Sequence, residues 1–182
     1  LLLGEPEQAA VHLEAASASE DDILGSLYTP MIPFYQALTL LELGRREGGM
    51  SGAARRRVRG NLRRLKVWAR HAPDNFEPKA LIIQGGLLAA AGQSTQALHA
   101  YERALASSEA QENLLDRATC LEAMAALFQD HPRLHKVFLR DAWHTWQRWG
   151  AQARVRILEE SHPWLAELEP TQRSKGSSTS TT

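Results

Sequence analysis

With one cysteine, Cys120, in 182 residues, the chain cannot close a disulfide on itself. That composition fits a reducing compartment, and a cytoplasmic location is expected. Long apolar runs are missing as well. None approaches the roughly 18 residues that a membrane-spanning helix requires, so no membrane insertion is expected. The opening LLLGEPEQAA has neither the basic start nor the apolar stretch of a secretory signal. It also has no initiator Met, and it is expected to begin inside an element of a longer protein. Net charge is lacking too: Lys+Arg and Asp+Glu both number 21. Nothing global draws this chain to nucleic acid or to a lipid surface.

Motifs for chemistry are equally scarce. No Gly-rich loop followed by Lys and Ser/Thr is present to cradle phosphates; GQSTQ at 92–96 lacks the lysine and reads as a helix end followed by a cap. No histidine is followed by the acidic-apolar-Arg-x-Pro run of a phosphoaccepting histidine. His131 and His135 in HPRLH stand four apart, but Pro132 places His131 ahead of the helix. No Cys/His cluster or carboxylate constellation completes a metal site. Cys120 sits in the apolar ATCLEAMAALF without a nucleophile motif or a base, and it reads as a small buried side chain. No catalytic, cofactor-binding or metal residue is therefore expected, and no cofactor.

What is present is helical periodicity, carried by a 43% apolar composition sufficient for one sizeable core. No stretch alternates as a strand would. Helices are expected at Pro6 to about Ala16, Pro33 to Gly44, 53–71, 78–91, 95–109, 113–129, 132–149 and 151–160. SEDDILGSLYTP reads as a loop with a short helical turn, RREGGMSG as a flexible connection, and APDNFEP as a turn rich in helix breakers. The Ser/Thr-rich TQRSKGSSTSTT cannot bury a core and reads as a linker, so 1–168 is one helical domain and 169–182 a tail.

Three tryptophans, Trp143, Trp146 and Trp149, fall on a helix face roughly 120° wide. A ligand cage would set them around a cavity with polar partners. Leu139, Ala142 and Ala153 on the same face favour packing instead, each indole burying ~150–250 Å². Charge is locally uneven. Between Arg45 and Arg70 ten basic residues face only Glu47, so this stretch is +9 and the remainder −9. Arg56, Arg59, Arg63, Lys66 and Arg70 trace one stripe opposite Val58, Leu62, Leu65 and Ala69. The stripe suits an acidic protein surface or a solvated face. Nucleic acid is disfavoured, since no aromatics interleave with it to stack on bases.

ALIIQGGLLAAAGQSTQALHAYERALA has an internal grammar. Small Gly85 sits in one helix, Gly92 ends it, and Ala97, Tyr101 and Ala104 line the next. Gly4, Ala9, Leu13 and Ala16 echo the spacing of Gly92, Ala97, Tyr101 and Ala104. Ala123, Leu139 and Ala142 echo Gly85, Tyr101 and Ala104 at a shift of 38 residues, longer than the usual ~34. The pattern resembles tetratricopeptide repeats. It predicts an all-α fold in which antiparallel helix pairs stack as a short TPR-like α-solenoid.

The order of FYQALTLL, NLRRLKVWARHAPDNFEPKALIIQGGLLAAAGQSTQALHAYERALASS, RATCLEAMAALF and FLRDAWHTWQRWGAQARVRILEESHPWL resembles the helical region of large multidomain bacterial signalling proteins. The resemblance spans about 28–168. It is carried by Phe34, Tyr35, Trp68, Ala69, Pro73, Asn75, Lys79, Gly92, Ala97, Tyr101 and Ala104, and by Arg148, Trp149, Gly150, Ala151, Val155, Leu158 and Pro163. GG at 85–86 and His135 depart from the family's acidic or small residues. In that family a serine/threonine kinase-like domain and an AAA/STAND-type ATPase precede the region, and a GAF domain and sensor histidine kinase follow it. The resemblance implies a non-catalytic module that couples the ATPase to the kinase, its partners being flanking domains of the same protein and another protein. An autonomous peptide- or protein-binding adaptor is the alternative, weakened by how few basic and amide side chains ALIIQGGLLAA and RATCLEAMAAL carry. A small enzyme is the third reading, and it finds no paired acid and base.

Overall fold

The computed structural model describes residues 6–18 and 31–168. The expected loop at 19–30, the linker at 169–182 and Gly4 of the first echo lie outside the described residues. Among the described residues eight α-helices follow one another: α1 Pro6–Ala18, α2 Met31–Arg46, α3 Gly52–Ala69, α4 Pro73–Ala89, α5 Ser94–Ala110, α6 Leu114–Leu127, α7 Pro132–Trp149 and α8 Gln152–Ser161. A 3-10 helix, Pro163–Leu168, ends the described chain. No strand occurs among the described residues. Also among them, no helix is long and apolar enough to cross a membrane.

Local chemistry sets the boundaries. Ser51 caps α3, its hydroxyl accepting from Ala54 N–H at 3.1 Å. Asn113 caps α6 the same way, accepting from Asp116 N–H at 3.0 Å. After α4 the chain turns at Gly92 in the left-handed region, φ 73°, where a side chain is disfavoured. The cap expected in GQSTQ does not form through a side chain: Gln93 holds the N-cap position of α5 without a side-chain hydrogen bond.

APDNFEP is a correction. The segment expected to be a turn is largely the first turns of α4. Pro73 stands at the start, where no intrahelical donor is needed and its fixed φ suits the helix. The Asn75 and Phe76 N–H groups both donate to Ala72 O at 3.2 Å. Pro78 removes one donor in the second turn, a loss of ~3 kcal/mol. Burial of Ala80, Leu81, Ile82 and Ile83 immediately after it outweighs that loss. Phe76 is then free to pack on Trp68 of α3, ring centroids 5.6 Å apart.

Each helix packs on the next from α1 to α8, and α2, α4 and α6 also touch in line. The apolar sequence of α4 is thus explained: it contacts α2, α3, α5 and α6 and is buried nearly all round. Gly85 permits its close approach to α5. A Cβ at that position would lie 2.4 Å from Tyr101 Cε1, and Tyr101 is itself buried. Small against large at one crossing is the grammar read from 80–106.

The three tryptophans divide. Trp143 and Trp146 are fully buried with Leu139, Val155, Leu158 and Leu165. Trp149 is not packed as expected: it is 44% exposed, its ring only resting against Trp146 at 5.4 Å. It is the last residue of α7, and Gly150 turns the chain away before α8 can cover it. The two buried indoles each meet a carboxylate, Trp143 donating to Glu159 at 3.1 Å and Trp146 to Glu122.

Candidate docking face on α3 and the polar core behind it

Helix α3 separates its two chemistries by face. Val58 and Leu65 are fully buried, and Leu62 and Trp68 pack against the same core. Asn61, polar on that apolar side, was not singled out by its sequence. Its amide donates to Gln36 Oε1 at 3.3 Å, and Gln36 Nε2 donates to Leu13 O at 3.1 Å, lacing α3, α2 and α1 together.

Arg56, Arg59, Arg63, Lys66 and Arg70 are all exposed. They share a sector roughly 80° wide and ~21 Å long, at 100° and 1.5 Å per residue. Among the described residues none of the five has an ion-pair partner. Other cations of the basic segment are engaged. Arg45 and Arg46 both bind Glu42, at 2.7 and 2.9 Å, and the Arg64 guanidinium lies over Trp68, 5.4 Å from the ring centre. Burial pushes the Glu42 carboxyl up, but hydrogen bonds from Arg45 and Arg46 outweigh it and hold the group below its ordinary value. Five unneutralised cations in a row repel one another and favour any anionic partner that displaces solvent from them.

Behind this helix lies a buried ion pair that sequence reasoning missed. Lys79 of α4 donates to Asp116 Oδ2 of α6 at 2.6 Å and to Asn75 O at 3.0 Å. Asn113 Nδ2 reaches the same carboxylate oxygen at 2.9 Å, and the Phe34 ring covers the ammonium at 5.8 Å. Lys79 is 5% exposed and Asp116 0%. Asp116 Oδ1 has no hydrogen-bond partner among the described residues. Burial accordingly pushes this carboxyl above its ordinary value, with Lys79 opposing. A signal was available: Lys79, Ile82, Ile83 and Gly86 share a helical face, so a lone cation stood in an apolar stripe.

Cys120 is adjacent and fully buried, its thiol donating to Tyr101 O at 3.2 Å. Burial, then the Asp116 and Glu109 carboxylates, push the thiol far above its usual range. We therefore expect a thiol reagent such as 5,5′-dithiobis(2-nitrobenzoate) to leave the native chain unlabelled at pH 8 and to modify it stoichiometrically in 6–8 M urea, about the concentration that unfolds small domains. Labelling of native protein at the rate of a free thiol would contradict this packing.

Elsewhere, a shallow cleft of about 230 Å³ opens beside the α5–α6 turn, lined by Ser108, Glu109, Glu112, Leu114, Arg117 and Arg148. Arg117 and Glu109 already pair across it at 3.2 Å. Among the described residues no three of His, Cys, Asp and Glu converge as a metal site would require. His131 precedes α7 as the sequence implied, while His135 turns its Nδ1 to Ala125 O at 2.9 Å. Comparison with protein-family profiles, with curated proteins and with solved structures returned no match.

Proposed function

We propose that this chain is a non-catalytic, TPR-like helical-repeat module of a multidomain signal-transduction protein. It would couple an upstream AAA/STAND-type ATPase to a downstream GAF and sensor histidine kinase region in the cytoplasm. The successive packing of α2 through α7, interlocked where Gly85 meets Tyr101, supports an α-solenoid reading. The residues that carry the family resemblance support the signalling context. The α3 stripe is the observation that carries the docking role: charge is presented outward on a helix whose other face is fixed in the core, so a partner engages a rigid surface.

The mechanism is a shift in contacts rather than chemistry. An acidic surface on a flanking domain would pair with Arg56, Arg59, Arg63, Lys66 and Arg70 in one state and leave them in another, biasing the two arrangements by its differential affinity. The test is hydrogen exchange on a protein that includes the flanking domains, with and without ATP. Protection is expected to change within 53–160; unchanged protection throughout would overturn the coupling. Replacing three of the cations by Glu (R59E, R63E, K66E) should abolish that response. In the 182-residue chain alone it should cost no more than about 0.5 kcal/mol per site, because the side chains are exposed. Selective recovery of one peptide motif by the isolated chain would instead favour the adaptor reading.

A further inference from the structure

The start of α7 meets the end of α8 and the 3-10 helix after it through two ring contacts. The His135 and His162 rings lie 5.6 Å apart, tilted by 59°. Beside them, Lys136 Nζ stands over the Trp164 ring at 5.4 Å. His162 is the joint between α8 and the closing 3-10 helix. Its N–H donates to Leu158 O at 2.8 Å, and its carbonyl accepts from Leu165 N–H at 2.9 Å. Leu165 is fully buried and Trp164 packs on the same cluster, so this joint decides how the turn docks.

The two imidazoles differ in their protonation chemistry. A carbonyl only accepts, so His135 carries a proton on Nδ1 toward Ala125 O and keeps that bond whether neutral or charged. No described residue anchors the His162 ring by a hydrogen bond. The charges around it are unbalanced. From α7 come His135 and the Lys136 ammonium. From α6 comes Glu122, already bound by Arg154 of α8 and by the Trp146 indole. On α8 itself, Glu159 is held by Trp143.

We propose that the His135–His162 contact is a proton-sensitive latch, which holds the Pro163–Leu168 turn against α7 while the His162 ring is neutral and loosens it on acidification. Burial first, and His135 second, hold the His162 imidazole below its ordinary value, with Glu122 opposing. A docked histidine with a lowered value binds fewer protons than the released one. Docking is therefore complete above the ordinary imidazole value of about 6.5 and weakens below it, as pH falls through the lowered value of the docked ring.

Hydrogen exchange on the full 182-residue chain, corrected for intrinsic rates, tests this at pH 7.5 and 5.5. Protection over 152–168 is expected to fall about 3-fold or more, while α4 and α5 keep theirs. His162→Gln should flatten that response. In a proton NMR titration of the wild type, the His162 ring should titrate below about 6.5, and His135→Gln should move its midpoint upward. An equal pH-dependent loss in His162→Gln, or a wild-type midpoint at or above that of free imidazole, would overturn the latch.

Discussion

Lys79→Met is expected to cost about 3–5 kcal/mol at pH 7, a large part of the ~5–15 kcal/mol that holds a domain of this size together. Methionine fills nearly the same volume and keeps the contact with Phe34, so the loss is electrostatic. Asp116 is left fully buried, with Asn113 Nδ2 as its remaining side-chain donor and Oδ1 already without one among the described residues. The sign of the pH effect follows. Without Lys79 the carboxyl folds in its protonated form, so its folded-state value lies further above its unfolded one. Stability is then present at low pH and is lost as pH rises through that raised value. Urea unfolding at pH 5 and pH 7 should show the variant closest to wild type at the lower pH. The double variant K79M/D116L, which removes both charges, should recover much of the loss. A K79M single variant as stable as wild type at pH 7 would refute the pairing.

Trp146→Ala is expected to cost about 3–5 kcal/mol, whereas Trp149→Ala costs less than about 1 kcal/mol. The two residues lie three apart on one helix, so the contrast isolates burial from composition. Trp146 is 1% exposed, and its Nε1–H meets the Glu122 carboxylate that also receives Arg154. Truncation opens a cavity between α6 and α7 and leaves Glu122 with Arg154 alone. Trp149 loses only its tilted ring contact with Trp146. Equal midpoint shifts in urea for the two variants would show that the indoles are buried alike.

Which features were legible follows from the range over which each is determined. Helix positions depend on period and on nearby caps, and α3, α5, α7 and α8 fall within about two residues of where their apolar spacing places them. The five-residue basic stripe is exposed as its face opposite Val58 and Leu65 requires. The start of α4 was misread because Pro73, Asp74, Asn75 and Pro78 each favour turns when weighed singly. Their use as a helix N-terminus is decided by what Phe76 and Lys79 pack against. Trp149 was misread because a helical face gives direction but says nothing of where the covering helix stops. The Lys79–Asp116 pair joins positions 37 apart, and the His135–His162 contact joins different helices. Neither is written in any local window.

The in-line packing order also governs how the molecule responds to force. Since every helix leans chiefly on those beside it in the chain, tension applied at the two ends would peel α1 and α8 away while the Gly85–Tyr101 seam still held. Yielding would then run from the outer helices inward, with the seam between α4 and α5 among the last to part.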